Sequence, residues 1–255
     1  MAKFAVLGSP IDHSLSPTIH RKAMEILGIT GEYERFNVSE DSFVEFLESH
    51  KVDWSGFSLT MPLKEIACSV GKASDEAALL TQVGNTLIAS PDGWLAFNTD
   101  ATGFSLLTDG FDFERVAILG SGGTARAALF AIRDQAKEIE VYRRSAKNDE
   151  ALRRISQEAT FCNWSNLSKA FQSQLVINAT SVSASEDIAR VAEQVPNAID
   201  AIYSPWPPPL FASQKGTNYK SGKDLLVAQA LGQIKLFHNV SFDKRELFDA
   251  LRASI

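Results

Sequence analysis

The segment Gly120, Ser121, Gly122, Gly123, Thr124, Ala125 carries the clearest chemistry in the chain. Its spacing fits G-x-G-x-x-G/A. The first glycine permits a tight turn and the second lets backbone approach a pyrophosphate. The small sixth residue lets a helix pack close to a strand. Phosphates would then sit at the positive end of that helix. The motif means little unless a strand precedes it and a helix follows. Further on come Tyr142, Arg143, Arg144 and Ser145, with Lys147 close behind. An NAD site tends to place Asp or Glu here for the ribose hydroxyls. Guanidinium groups suit a 2′-phosphate, by bidentate bonding and by stacking on adenine. The arginines point to NADP, and the plain alternative is a solvated charged loop.

Other candidates lie in the first hundred residues. Ser14 and Ser16 stand two apart where a strand gives way to a helix. Neutral hydroxyls there can donate to a substrate carboxylate. Helix capping would explain Ser16 but not Ser14. Lys64 follows Ser58, Leu59, Thr60, Met61 and Pro62, just beyond a strand that proline interrupts, and Asn98, Thr99 and Asp100 lead into Gly103. Taken singly, a lysine or an aspartate is more often a surface charge than a catalyst. His13, His20, His50 and His238 form no metal constellation and read as surface or capping residues, so no metal is expected. Cys68 and Cys162 are far apart, without ligand spacing, and read as reduced buried thiols of a cytoplasmic protein.

The elements that must hold these residues alternate between strand and helix. Residues 3–7 read as a buried strand stopped by Gly8, Ser9 and Pro10, and Pro17 can open a helix with Ser16 as its N-cap and Gly28 as its end. Residues 33–38 and 56–59 read as strands, and 41–49 as a helix. Residues 75–80 begin a short helix, and Pro91, Asp92 and Gly93 turn between two short strands. Residues 114–119 form a strand of Val, Ala, Ile and Leu that runs into Gly120. A helical pattern follows through Ala127, Ala128, Leu129 and Ile132, then a strand at 138–142. This is the βαβ context the glycine motif needs. Later strands are expected at 175–179 and 198–202, closing helices at 224–239 and 242–253, and a rigid Pro-rich loop at 205–209. The fold class is α/β.

The 255 residues are 45% hydrophobic and 22% charged, enough for one large domain or two modest ones. The net charge of −6 and the lack of a basic block argue against nucleic acid or an anionic membrane as partner. The apolar run at the start is too short for a signal peptide, and no run approaches a membrane span. The sequence leaves a homodimer open.

Eight segments in order, spread from end to end, resemble the shikimate dehydrogenase family: GSPIDHSLSPTIH (8–20), LTMPLK (59–64), GNTL (84–87), NTDATG (98–103), GSGGTA (120–125), NATS (178–181), DAIYSP (200–205) and LLVAQ (225–229). The resemblance implies NADP-dependent, reversible reduction of 3-dehydroshikimate to shikimate, on the path to chorismate and the aromatic amino acids. It implies an N-terminal α/β substrate domain, residues 1–102 joined by helices in 224–255. A Rossmann-type NADP domain spans 103–223, with the cleft between the two. Lys64 and Asp100 resemble the catalytic pair. Ser14 and Ser16 resemble the hydroxyls that hold the substrate carboxylate, and Thr60, Asn85, Tyr203 and Gln229 resemble further substrate contacts. On the cofactor side the resemblance adds Thr180 and Leu225 to the glycine turn, and matches Arg144 and Ser145 to an Asn-Arg-Thr segment in which Arg143 replaces the asparagine.

The pair has a physical rationale. Reducing a ketone puts negative charge on its oxygen, and an ammonium beside it stabilises that charge and can supply the proton. The chain departs from the family at Arg21, Ser183, Pro208, Asp224 and Leu225, the last two near the expected nicotinamide pocket. Two competitors remain. One is an NAD-dependent quinate/shikimate dehydrogenase, for which a change at one of the two serines and an acid after the second Rossmann strand are expected. The other is a non-catalytic NADP-binding regulatory paralogue, which need not keep Lys64 with Asp100.

Overall fold

The computed structural model describes all residues, 1–255. The chain divides into two compact units, Met1–Gly103 with Leu226–Ile255, and Phe104–Leu225. The first unit contains β1 (Ala2–Gly8), α1 (Ser16–Leu27), β2 (Gly31–Asn37), α2 (Glu40–His50), β3 (Gly56–Leu59), α3 (Ala67–Val70), β4 (Gly71–Ala73), α4 (Glu76–Thr81), β5 (Thr86–Ser90), β6 (Gly93–Phe97) and the start of α5 (Thr99–Thr108). The second contains β7 (Arg115–Leu119), α6 (Gly123–Ile132), β8 (Glu138–Arg143), α7 (Asp149–Ile155), β9 (Thr160–Asn163), β10 (Leu175–Asn178), α8 (Ser185–Val191), β11 (Asn197–Asp200), β12 (Asn218–Lys220) and the start of α9 (Gly222–His238). The rest of α9 and α10 (Lys244–Arg252) belong to the first unit.

The first sheet has the order β2-β1-β3-β5-β6-β4. β1 is parallel to both neighbours, whereas β3–β5 and β5–β6 are antiparallel. β1 is covered on both faces, and its period of two sorts its residues. Ala5 and Leu7 join Phe43, Phe57, Leu59 and Leu87 in one core, while Phe4 and Val6 join Ile11, Met24 and Tyr33 in another. The second sheet, β12-β11-β10-β7-β8-β9, is wholly parallel. Counted within its unit, this is the 3-2-1-4-5-6 order of a doubly wound dinucleotide fold.

Several local expectations need correction. The N-cap of α1 is Leu15, so Ser16 occupies the first helical position next to Pro17 rather than the cap. Gly28 ends α1 as expected, with φ +64°. Residues 99–108 form a helix where the sequence showed only a polar run into Gly103. Asn98 opens it, its Oδ1 accepting from Ala101 N at 3.4 Å. The helix tolerates Gly103 because a Cβ there would stand 3.0 Å from the Gln229 backbone nitrogen, so the missing side chain lets α9 approach. β4, β9 and β12 have only three or four residues each and carry too little periodicity to be read. His20 is not a surface histidine: it is fully buried, whereas Cys68 and Cys162 are free but only half-buried. No helix is long and apolar enough to cross a membrane.

Candidate active site

The first unit gathers four of the expected substrate-side residues into one hydrogen-bonded cluster. Lys64 lies in a short 3-10 turn, residues Leu63–Glu65, behind the Met61–Pro62 segment. Its Nζ donates to Asp100 Oδ2 at 2.7 Å. Asp100 sits in the first turn of α5 and is 3% exposed, while the Lys64 side chain keeps 23% of its surface open. The cation therefore presents its remaining hydrogens outward while the carboxylate stays inside. Asn85, just before β5, donates through Nδ2 to Asp100 Oδ1 at 2.9 Å and Gln229 Oε1 at 3.0 Å, with Thr99 Oγ1 also within 2.9 Å. Its Oδ1 accepts from Thr99 N at 2.8 Å and Thr86 Oγ1 at 3.0 Å. A backbone N–H can only donate, so the Thr99 bond fixes which way round the Asn85 amide sits. Gln229, on α9, closes the group and donates to Leu226 O at 2.7 Å.

Ser14, Ser16 and Thr60 stand on neighbouring segments of the same unit. Ser14 Oγ accepts from Ser16 N at 3.4 Å, and Ser16 is buried at the head of α1. Thr60 N donates to Leu7 O at 2.9 Å, which ties the end of β3 to the end of β1. Gly8 lies against that junction, where a Cβ would stand 2.9 Å from Met61 O. Tyr203 belongs to the second unit, in the loop after β11, where burial raises its hydroxyl pKa.

The glycine turn of the second unit has the shape a pyrophosphate needs. Gly120 has φ +111°, and a Cβ there would be 2.9 Å from Ala179 O. Gly122 is the N-cap of α6 and Gly123 its first residue, so no side chain caps this helix start. Ser121, Gly122, Gly123 and Thr124 thus bring backbone N–H groups to the end of a ten-residue helix, with Ala125 buried behind them. Asn148 Nδ2 donates to Ser121 O at 2.9 Å and holds the turn from the far side. Thr180 lies beside it, its hydroxyl on Asn178 Oδ1 at 2.7 Å. Leu225 is buried in the first turn of α9.

The two arginines are in different states. Arg143 makes a two-pronged bond to Asp149 at 2.5 and 2.6 Å, holding that carboxyl below its usual range. Its guanidinium is committed to α7. Arg144 is half-exposed, lies 5.1 Å over the Trp164 ring, and donates to Asp187 Oδ2 at 2.8 Å. Trp164 Nε1 donates to the same oxygen at 3.0 Å, and the indole and then Arg144 lower the Asp187 pKa. Ser145 accepts from Lys147 N at 3.2 Å, capping a short turn. Sequence reasoning missed Trp164 and Asp187, because they come from segments twenty or more residues away from the arginine. It also missed Gln233, whose amide meets the Asn85 carbonyl, although Gln229 and Gln233 stand four apart on α9.

Known proteins place the chain in a family. A family model described as the shikimate dehydrogenase substrate binding domain matches residues 6–87. An NADP(+) shikimate dehydrogenase of Thermus thermophilus is 33% identical over 266 aligned residues, covering 100% of this chain and 99% of that protein. That of Ignicoccus hospitalis is 31% identical, covering 99% of each. The crystal structure of Mycobacterium tuberculosis shikimate dehydrogenase matches with a TM-score of 0.88 at 30% identity, over 99% of this chain and 100% of that one. The Thermus thermophilus enzyme in complex with NADP(H) and shikimate matches with a TM-score of 0.86 at 28% identity, over the whole of both chains. With a relative this similar over its full length, the chain belongs to the shikimate dehydrogenase family.

Proposed function

We propose that this protein catalyses the NADP-dependent, reversible reduction of 3-dehydroshikimate to shikimate, a step of chorismate and aromatic amino acid biosynthesis. The observation that carries the reading is the Lys64–Asp100 pair, seated with Asn85 and Gln229 in the first unit. In this reading Met1–Gly103 with Leu226–Ile255 binds the polyol acid, and Phe104–Leu225 binds the dinucleotide. The relative crystallised with NADP(H) and shikimate supports both ligands. A cytoplasmic site of action accompanies it, since Cys68 and Cys162 are free thiols.

NADP(H), when bound, supplies or takes the hydride. The protein supplies position and charge. Ser14 and Ser16 donate to the substrate carboxylate, and Thr60, Asn85 and Gln229 hold its remaining polar groups. The Lys64 ammonium stabilises charge on the carbonyl oxygen and gives it a proton in the reducing direction. Asp100 keeps the ammonium in place through the 2.7 Å bond. The Gly120–Ala125 turn receives the pyrophosphate, with Thr180 and Leu225 flanking the cofactor. Arg144 and Ser145 take the 2′-phosphate. Arg143 contributes by fixing the end of β8 through Asp149.

A steady-state assay crossing shikimate and quinate with NADP+ and NAD+ tests the assignment. Turnover is expected to be highest with shikimate and NADP+. Strong preference for NAD+ would sink the cofactor reading, and absence of turnover would favour a regulatory paralogue. The Arg144 geometry adds a second expectation. Its guanidinium must leave Asp187 to meet a 2′-phosphate, so Asp187→Asn is expected to lower the KM for NADP+ about threefold, most clearly at low salt. The KM for NAD+ should not fall with it. Equal changes for both cofactors would refute the competition.

A further inference from the structure

Gln233 follows Gln229 by four residues on α9, so the two share a face of the helix. It is 1% exposed and fully bonded. Its Nε2 donates to Asn85 O at 3.0 Å and to Thr86 Oγ1 at 3.2 Å. Its Oε1 accepts from Ser58 Oγ at 2.8 Å and from His20 Nε2 at 3.1 Å. The orientation follows from chemistry. Asn85 O can only accept, so the amide nitrogen must face it and the amide oxygen must face Ser58 and His20.

The donors on the far side are themselves fixed. Tyr33 OH donates to Ser58 Oγ at 2.6 Å, and the Tyr33 ring stacks on the His20 ring with centroids 4.1 Å apart. Burial holds the His20 imidazole down to about 3, so it is neutral and Nε2–H is its donor. One amide therefore ties α9 to α1, to β3 and to the start of β5. Asn85 is held twice by the same helix face, through its side chain on Gln229 and through its carbonyl on Gln233. The helix is also close-packed here, since a Cβ on Gly232 would stand 2.9 Å from Thr99 Cβ, next to Asp100.

We propose that Gln233 is a positioning residue of the substrate site, which pins α9 in register against the Asn85 backbone so that Gln229, Asn85 and Asp100 meet. The inference rests on the functional reading above. Gln233 touches neither substrate nor cofactor in this arrangement. It acts through Asn85 and Gln229. A residue that merely satisfied buried polar groups would change stability alone. A register pin changes the affinity for the acid substrate specifically, because the cofactor groups lie in the other unit.

Two variants test this. Gln233→Met keeps length and volume but loses the donor to Asn85. Misplacing binding groups by a fraction of an ångström is expected to raise the KM for shikimate about tenfold, with the KM for NADP+ within about twofold. A folded variant whose shikimate KM stays within about twofold of wild type, or whose two KM values rise together, overturns the proposal. Gln233→Glu keeps the shape and decides the matter if the methionine variant does not fold. Its acid form can still donate to Asn85 O, while its ionised form faces that acceptor with charge. Burial raises such a carboxyl toward neutral pH. The ionisable groups around it are His20 on α1, Tyr33 on β2, and the Lys64–Asp100 pair reached through Asn85. The glutamate variant is expected to approach wild-type shikimate KM at low pH and to lose affinity as pH rises, a step that wild type lacks. A profile parallel to wild type overturns the proposal. A wild type that does not turn over shikimate would sink the functional reading and this inference with it. An active wild type with unmoved variants sinks this inference alone.

Discussion

Lys64→Ala is expected to lower kcat about a thousandfold while changing the KM for shikimate far less, because the lost group acts on charge that develops only as hydride moves. The structure makes the separation testable. The Lys64 side chain is partly open, and its one ion pair is the bond to Asp100 on α5. Under the proposed assignment, Ser14, Ser16 and Gln229 remain in place to bind the acid. The variant does leave Asp100 buried without its cation, held only by Asn85. That residual carboxylate is expected to lower the melting temperature somewhat. Circular dichroism melts run beside the kinetics separate lost folding from lost chemistry. An active wild type with a folded variant whose kcat stays within about tenfold would refute the role given to lysine.

Mild acid is expected to weaken the protein through His20. Its imidazole is buried in a cage of Tyr33, Phe237 and Gln233, and burial lowers its pKa from 6.5 to about 3. The unfolded chain therefore binds a proton near pH 6.5 that the folded chain refuses. The stability this neutral histidine contributes is complete above pH 6.5 and is lost as pH falls toward 3. Between pH 7 and pH 5 the loss is about 2 kcal/mol by linkage. His20→Gln keeps a donor for Gln233 and does not titrate. Urea unfolding of both proteins at pH 7 and pH 5 should show a smaller decline in the variant. Equal declines would mean that His20 takes up its proton without unfolding. Asp200 acts with the opposite sign. Burial raises its carboxyl from 3.8 to about 6, so its contribution is present below 3.8 and is lost as pH rises through 6. The variant comparison removes this background, because Asp200 is unchanged in both proteins.

Some features were legible because they are local. The strand before Gly120, the glycine spacing and the apolar helix after it are consecutive, and together they specify a tight strand–turn–helix, which the structure has, with φ +111° at Gly120. Pro17 and Gly28 bracket α1 for equally local reasons. The helix at residues 99–108 was hidden because Thr, Asp and Gly are weak helix formers. Its support comes from Asn98 and from the approach of α9, more than a hundred residues later in the chain.

The order of residues along the chain was enough for the α/β class, the dinucleotide turn and, through eight ordered segments, the family. Which charges are partnered and which are free to act came from packing. Arg143 and Arg144 are adjacent and alike in sequence, yet one is locked to Asp149 and the other lies half-open over Trp164. Lys64 and Asp100 are ordinary charges in the chain, and they become a pair when α5 and the turn after β3 meet at 2.7 Å. His20 and Gln233 lie 213 residues apart and share one hydrogen bond in the interior. Local pattern fixes which way a side chain faces along its own element. Only packing determines what stands opposite it, and the energy of a buried charge or amide depends almost wholly on that partner.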